Sequence, residues 1–276
     1  MNLINKEKVA IIIPTFNRVE ITRNIITQIL NQDYNNFQII ICDSDSSDGT
    51  QNLNYDFPTI KIINVGINRW WTGAINKGID YALNNKFPLL LLLNDDIEIP
   101  KNLLSTLLRY QKENLKCLIT PRQLDMSGNY YLGSNFEGIF KSRKNISSYS
   151  DSVNFFDASN GCCVLASDNV FKEIGFVNEK LIPHYGGDIF IFLKAKNKGF
   201  RCLTISKLII KQTSSTNYLG KINIKNMLFH PSSHVHLYTY FLVGRELHDG
   251  WFKFLFFGIA NHYYYIKEVL KTLKNL

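Results

Sequence analysis

The 276-residue sequence has no apolar run of the roughly 18 to 20 residues that a helix needs to cross a bilayer, so any membrane contact is expected to be peripheral. Its first residues, Met1 to Lys8, are polar and run straight into a strand-like segment, which predicts no cleaved leader. Cysteine is scarce. Cys42, Cys117, Cys162, Cys163 and Cys202 lie in or beside apolar runs without metal-ligand spacing, and five thiols cannot all pair. A reducing cytoplasm is the expected setting. No Gly-x-Gly-x-x-Gly follows the first predicted strand and no Walker-type lysine loop is present, which removes the main support for a dinucleotide oxidoreductase or a P-loop NTPase. Internal repeats and low-complexity tracts are also missing.

What the sequence does have is enough apolar content, 45%, to bury a full core. Thirty-one Lys and Arg against 23 Asp and Glu leave a formal charge of +8, which suits an anionic partner such as a phosphate or a membrane surface. No nucleic-acid partner is expected. Short apolar runs alternate with segments of helical period, the pattern of β-α-β units around a mostly parallel sheet. Val9 to Ile13 reads as the first strand, and Ile21, Ile25 and Ile29 mark one face of a helix ending near Asn31 to Asp33. Strands follow at Phe37 to Cys42 and Ile60 to Asn64, then a helix from Trp71 to Asn84 burying Ala74, Ile75, Ile79, Ala82 and Leu83. Leu89 to Leu93 is an unalternating leucine run, as expected of a central strand covered on both faces. Beyond Cys117 the pattern predicts a hairpin from Tyr130 to Leu132 and Ile139 to Lys141, a strand at Gly161 to Ala166, and helices at Asp168 to Ile174 and Asp188 to Asn197.

In open α/β sheets ligands bind beyond the carboxyl ends of the strands. Here those ends are polar: Pro14-Thr15-Phe16-Asn17-Arg18, Asp43 to Thr50, and Asn94-Asp95-Asp96. A nucleotide diphosphate asks for amide or acidic groups at its base and ribose, and for a carboxylate-held divalent cation at the diphosphate. Asp43 and Asp96 supply such carboxylates. Taken alone, Asp95-Asp96 reads more readily as a solvated turn or helix cap than as a metal site.

Together these loops resemble those of the family 2 glycosyltransferases of the GT-A fold. The matching pieces are Pro14 to Arg18, Asp43 to Thr50, Gly73-Ala74-Ile75-Asn76-Lys77-Gly78, Asn94-Asp95-Asp96 and Ile182 to Asp188, in family order over roughly residues 9 to 212. The resemblance implies a mostly parallel α/β sheet flanked by helices. It divides the chain into a catalytic domain at 1–215 (nucleotide half 1–115, acceptor half 116–215) and a helical, aromatic and basic extension at 216–276. It puts Pro14, Thr15, Asn17, Arg18, Asp43, Asp45, Gly73, Asn76, Asn94 and Asp95 on the nucleotide, and Asp96 on Mg²⁺ or Mn²⁺. Asn94 departs from the usual first aspartate. Asp188 would be the catalytic base, with Gly187 in place of the usual Glu; without the resemblance it reads as a helix cap. Asn160, Gly161, His184, Tyr185, Gly186 and Gly187 would lie on the acceptor or sugar side. Trp70 and Trp71 would wall the sugar or base there, or else belong to the core. Where many relatives carry a metal-binding histidine, this chain has Lys211 and Gln212, leaving His184, His230, His234 and His236 as substitutes.

The implied activity is inverting transfer of a sugar from a dTDP- or UDP-sugar to a glycan or lipid-linked glycan in surface polysaccharide (O-antigen or capsule) synthesis, nearest to rhamnosyltransferase-like members. Two other classes stay open: a non-catalytic nucleotide-sugar binder or scaffold, and a nucleotidyltransferase, for which Pro14 to Arg18 lacks the glycine-rich basic loop. The aromatic and lysine-rich stretch 251–274 either rests on the cytoplasmic face of a membrane, packs on the catalytic domain or forms a homodimer contact.

Overall fold

The computed structural model describes residues 7–67, 69–139, 141–148, 152–214 and 223–274. Val9–Thr15 forms β1, followed by α1 (Val19–Leu30), β2 (Phe37–Asp43), the short α2 (Leu53–Asp56), β3 (Lys61–Asn64), α3 (Trp70–Asn84) and β4 (Leu89–Leu93). The chain continues through β5 (Ile97–Glu98), α4 (Leu103–Glu113), β6 (Cys117–Leu124), β7 (Tyr130–Tyr131), β8 (Gly133–Glu137), β9 (Ser142–Ile146) and β10 (Val153–Phe156). Then come β11 (Cys163–Ser167), α5 (Asp168–Ile174), α6 (Gly187–Asn197) and β12 (Arg201–Gln212). Helices α7 (Ile224–Phe229), α8 (Leu237–Leu247), α9 (Trp251–Phe257) and α10 (Ile259–Lys274) complete it.

One sheet runs in the order β10-β12-β6-β11-β4-β1-β2-β3, with β5 beside β12 and β7 beside β6. β4, β1, β2 and β3 are parallel, and β12 is parallel to β6, whereas β11 runs antiparallel between β4 and β6. The register pairs Thr15 with Asp43 and Ile12 with Leu92, so β1, β2 and β4 end at one edge. That edge carries the site.

The leucine run explains why β4 is central. Leu90 and Leu92 enter one apolar layer with α3, α5 and α6, while Leu89, Leu91 and Leu93 enter the opposite layer with α1 and α4. Each buried leucine contributes about 2 kcal/mol relative to an exposed one, so a polar residue on either face would be costly. Gly78 lets α3 lie close to the sheet, because a Cβ there would fall 2.9 Å from the Cys42 sulfur and closer still to Ile12.

Two local expectations are corrected. The buried face of α1 is Thr22, Ile25, Ile26 and Ile29, rotated away from Ile21, because Thr22 turns in toward the site. The hairpin joins β8 to β9, and Gly138–Lys141 is its turn, with Gly138 and Lys141 at positive φ; Phe140 lies outside the described residues. Tyr130–Tyr131 instead adds a short strand to β6. Alternation could not reveal this, because the hairpin strands, Gly133–Glu137 and Ser142–Ile146, are polar and sparse in apolar residues.

Beyond the sheet, Leu242, Val243 and Leu247 of α8 pack on the α3/α6 layer. Helices α9 and α10 in turn lie on α8 through Phe254, buried beside Gly244, and through Tyr265 stacked on Tyr240 at 4.0 Å. None of the described helices is long and apolar enough to cross a membrane.

Candidate active site

Asp95 and Asp96 leave β4 at the open edge of the sheet, where Arg18, at the start of α1, spans both. Its guanidinium lies 3.0 Å from Asp95 and 3.3 Å from Asp96, and it also donates to Ser214 at 3.1 Å. Asp95 is 2% exposed and accepts further bonds from the hydroxyls of Thr15 and Thr22 at 3.3 and 3.2 Å. Burial pushes its carboxyl up to about 6, against the pull of Arg18 and with a smaller push from Asp96.

The first two loops are tied together from both sides. The backbone N–H of Asn17 donates to Ser46 Oγ, and that of Ser47 donates to Asn17 Oδ1, each at 2.8 Å. Asp43 is 1% exposed and turns its carboxylate onto Ser46, accepting from its hydroxyl at 2.5 Å and its backbone at 3.2 Å. It thus supports the second loop. Asn17, Asp45 and Trp70 have φ of 49°, 65° and 50° and all border the cleft, a left-handed conformation that costs a non-glycine residue energy and gathers at functional sites.

The opposite wall comes from β11 and α6. The Trp71 indole N–H donates to Asn94 Oδ1 at 3.0 Å, and the Asn94 amide nitrogen donates to Cys162 Sγ at 3.7 Å. Asn94 therefore uses both halves of its amide, which an aspartate at that position could not do. Asp188, in the first turn of α6, accepts from Ile189 N–H at 2.8 Å and Gly161 N–H at 3.0 Å, one bond to each oxygen. It caps its helix locally and also lines the cleft. Gly187 backs against Trp71 and Thr72, where a Cβ would collide with the threonine hydroxyl, so there is no room for a glutamate side chain.

The cleft has a volume of about 560 Å³. Two of its lining residues, Arg18 and His184, carry buried side-chain nitrogens (Nε and Nδ1) without a hydrogen-bond partner among the described residues. Such atoms cost about 1 to 3 kcal/mol each unless a polar ligand meets them. Burial, with the nearby Arg18 charge, lowers His184 to about 4, so its ring is neutral at physiological pH. Burial, then Asp96 and Asp188, push the Cys162 thiol up to about 12, which keeps it protonated at neutral pH. Beyond Cys162 and Gln212 a second cavity of about 240 Å³ is lined by polar side chains including Gln123, Tyr131, Arg143, Asn145 and Asn160.

Of the residues singled out from the sequence, Pro14, Thr15, Asn17, Arg18, Asp45, Asn94, Asp95 and Asp96 meet along one wall of the cleft. Trp70, Trp71, Gly161, His184, Tyr185, Gly186 and Asp188 meet along the other. Gly73 and Asn76 lie outside it: Asn76 donates to the Val177 carbonyl at 2.8 Å, and Gly73 backs on Arg69 and Glu179, so both hold α3 to the segment before α6. Asn160 faces the second cavity, and Gly187 lines neither. Of the substitute histidines, His236 accepts from the Thr239 N–H to cap α8, His234 meets Thr272, and His230 meets Ser232 with its ring 5.4 Å from Trp70. Six further residues line the cleft without having been singled out as contacts: Phe16, Ser44 and Ser47 from the strand-end loops already named, and Ile67, Cys162 and Gln212. Cys162 had no visible signal, because only the antiparallel pairing of Cys163 with Leu93 brings it beside Asn94.

Among the described residues no group of three or more His, Cys, Asp or Glu is assembled as a metal cage. A hard divalent cation bound through substrate phosphates needs only one or two carboxylates, and Asp96, whose Oδ2 meets Arg18, offers one. The donor set fits that mode.

The cleft thus lies beyond the carboxyl ends of the strands of a doubly covered α/β sheet, where folds of this class bind their ligands. The profile of the family described as Glycosyl transferase family 2 matches residues 10–175, and the chain belongs to that family. Its fold is GT-A: the crystal structure of GalNAc-T7 with UDP, GalNAc and Mn²⁺ superposes with a TM-score of 0.63 at 13% identity, covering 79% of this chain and 45% of that one. The chain is 33% identical over 136 residues to the GalNAc(5)-diNAcBac-PP-undecaprenol beta-1,3-glucosyltransferase of Campylobacter jejuni, covering 48% of this chain and 42% of the relative. It is 29% identical over 153 residues to the low-salt glycan biosynthesis hexosyltransferase of Haloferax volcanii, covering 53% and 49%. It is 30% identical over 129 residues to the UDP-Glc:alpha-D-GlcNAc-diphosphoundecaprenol beta-1,3-glucosyltransferase of Escherichia coli, covering 46% and 47%. The matches thus span a little under half the length of each of these curated relatives.

Proposed function

We propose that the protein transfers a hexose, with inversion, from a nucleotide diphosphate sugar to a hydroxyl of a lipid-linked glycan. The observation that carries this reading is the placing of Asp188 across one cleft from the Arg18-bridged pair Asp95-Asp96. Two carboxylates face a single guanidinium there, so an arriving diphosphate brings charge that Arg18 alone does not balance. Asp96 would hold a divalent cation against the diphosphate, where the cation's chemistry is to neutralise the leaving group. The uncommitted nitrogens of Arg18 and His184 are donors or acceptors for the same ligand.

In this reading the acceptor hydroxyl approaches from the side of Gly161 and the second cavity. Its oxygen attacks the anomeric carbon opposite the diphosphate while Asp188 takes the hydroxyl proton. The anomeric carbon–oxygen bond breaks and its electron pair leaves with the nucleotide diphosphate. Trp71, pinned by Asn94, would wall the sugar. The names of the Campylobacter and Escherichia relatives support a diphosphoundecaprenol-linked acceptor, and the latter a uridine donor. A deoxythymidine donor and a rhamnosyl specificity are the competing choices within the same chemistry.

The test is to incubate the protein with UDP- and dTDP-hexoses, a lipid-diphosphate-linked sugar, and Mg²⁺ or Mn²⁺ or EDTA, reading product by mass spectrometry. Transfer by the wild type and its loss in Asp188→Asn are expected. Donor binding without transfer or hydrolysis under every condition would leave the protein a nucleotide-sugar binder.

A further inference from the structure

Helices α9 and α10 run almost as one. Gly258 separates them, yet its N–H donates to the Phe254 carbonyl at 2.9 Å and its own carbonyl accepts from His262 at 2.8 Å, so the helical phase carries through. Phe254, His262 and Tyr265 face inward, where Tyr240 of α8 meets all three rings. Phe252, Phe256, Ile259, Tyr263, Ile266 and Leu270, spaced alternately four and three residues apart, form a single outward stripe. Its members are between 54% and 70% exposed. A contiguous exposed apolar stripe of this kind marks an interaction surface.

Charge selects the partner. Lys253, Lys267, Lys271 and Lys274 accompany the stripe, and Glu268 is the one acidic residue within 251–274. Two copies meeting through this face would set lysines against lysines. An anionic surface meets the same lysines favourably, and the tyrosines beside the stripe suit the boundary between headgroups and acyl chains. We infer that the outward face of α9 and α10 docks on an anionic phospholipid bilayer, lying in its plane. Because α8 sets Thr239 against Gly186 at the rim of the cleft, docking would hold the cleft near that surface. The inference does not depend on the transfer reaction.

The full chain is sedimented with vesicles of phosphatidylcholine alone and of phosphatidylcholine with phosphatidylglycerol, at low and high salt. Binding to the anionic vesicles that weakens with salt is expected, since exposed charges are screened. Phe256→Ser with Tyr263→Ser should abolish it, and each of Lys267→Gln and Lys271→Gln should lower partitioning about fivefold. Circular dichroism and melting temperature check the fold of each variant, and brominated lipid should quench a component of the wild-type tryptophan emission that Trp251→Phe removes. A wild type that stays in the supernatant with anionic vesicles overturns the inference. So does equal binding by a folded Phe256→Ser/Tyr263→Ser variant, or a dimer in solution that these substitutions dissociate when no vesicle binding occurs.

Discussion

The backbone N–H of Gly161 donates to Oδ2 of Asp188 at 3.0 Å, and a Cβ on Gly161 would lie 2.6 Å from the Asp188 Cβ. The turn before β11 therefore fixes the carboxylate at the head of α6, and each of its oxygens keeps a lone pair for a substrate proton. Orientation is set before any acceptor arrives.

Replacing Asp188 with Asn keeps the size and much of the hydrogen bonding of the side chain but removes the proton acceptor. Steady-state assays should show transfer falling by about 10² to 10⁴ with donor affinity within a few-fold of wild type. Full transfer by Asp188→Asn would assign the base elsewhere.

Arg18 compensates the buried Asp95. Arg18→Ala should destabilise the fold by about 3 to 5 kcal/mol in urea titrations, because it strands that carboxylate. Combining it with Asp95→Asn should recover part of the loss, so the two changes are less than additive. An additive pair would mean that the bridge contributes little.

Gly187→Ala should cost about 1 to 3 kcal/mol through overpacking against Trp71 and Thr72. Adding Thr72→Ala opens the space that the hydroxyl fills. If thermal melts show no relief in the double variant, the crowding lies elsewhere.

His184 has a folded-state pKa near 4 against an ordinary 6.5. A depressed histidine stabilises the fold above 6.5 and loses that contribution as pH falls toward 4, because the unfolded chain takes the proton first. Asp95, raised to about 6, works in the opposite sense: its contribution is full below 3.8 and is lost as pH rises through 6. The stability difference between wild type and His184→Gln isolates the histidine, and it should shrink by up to about 3 kcal/mol from pH 7 to pH 4. A constant difference would show that His184 titrates normally.

Much of the wall around Asp95 was legible in advance. Apolar runs and turn residues located β1, β2, β4 and α3 to within two residues and the end of α1 to within three, though not the short α2, and sheet physics put the polar strand ends together. The antiparallel insertion of β11 was not legible, since nothing in Cys163–Ser167 marks its direction, and with it went Cys162 and the contact between Gly161 and Asp188. Gly73 and Asn76 read as ligand residues because they sit in a motif, whereas their atoms are committed to Arg69, Glu179 and Val177. The hairpin was misplaced because polar strands carry no alternation to read.

That hairpin leaves the sheet after β7 and returns before β10, and its two strands pair with each other in a sheet of their own. The pairings that set the cleft, Cys163 with Leu93 and Thr15 with Asp43, involve none of its residues. Through Arg143 and Asn145 the hairpin reaches the second cavity but not the cleft, so exchanging it would reshape that cavity and leave the residues around Asp95 and Asp188 in place.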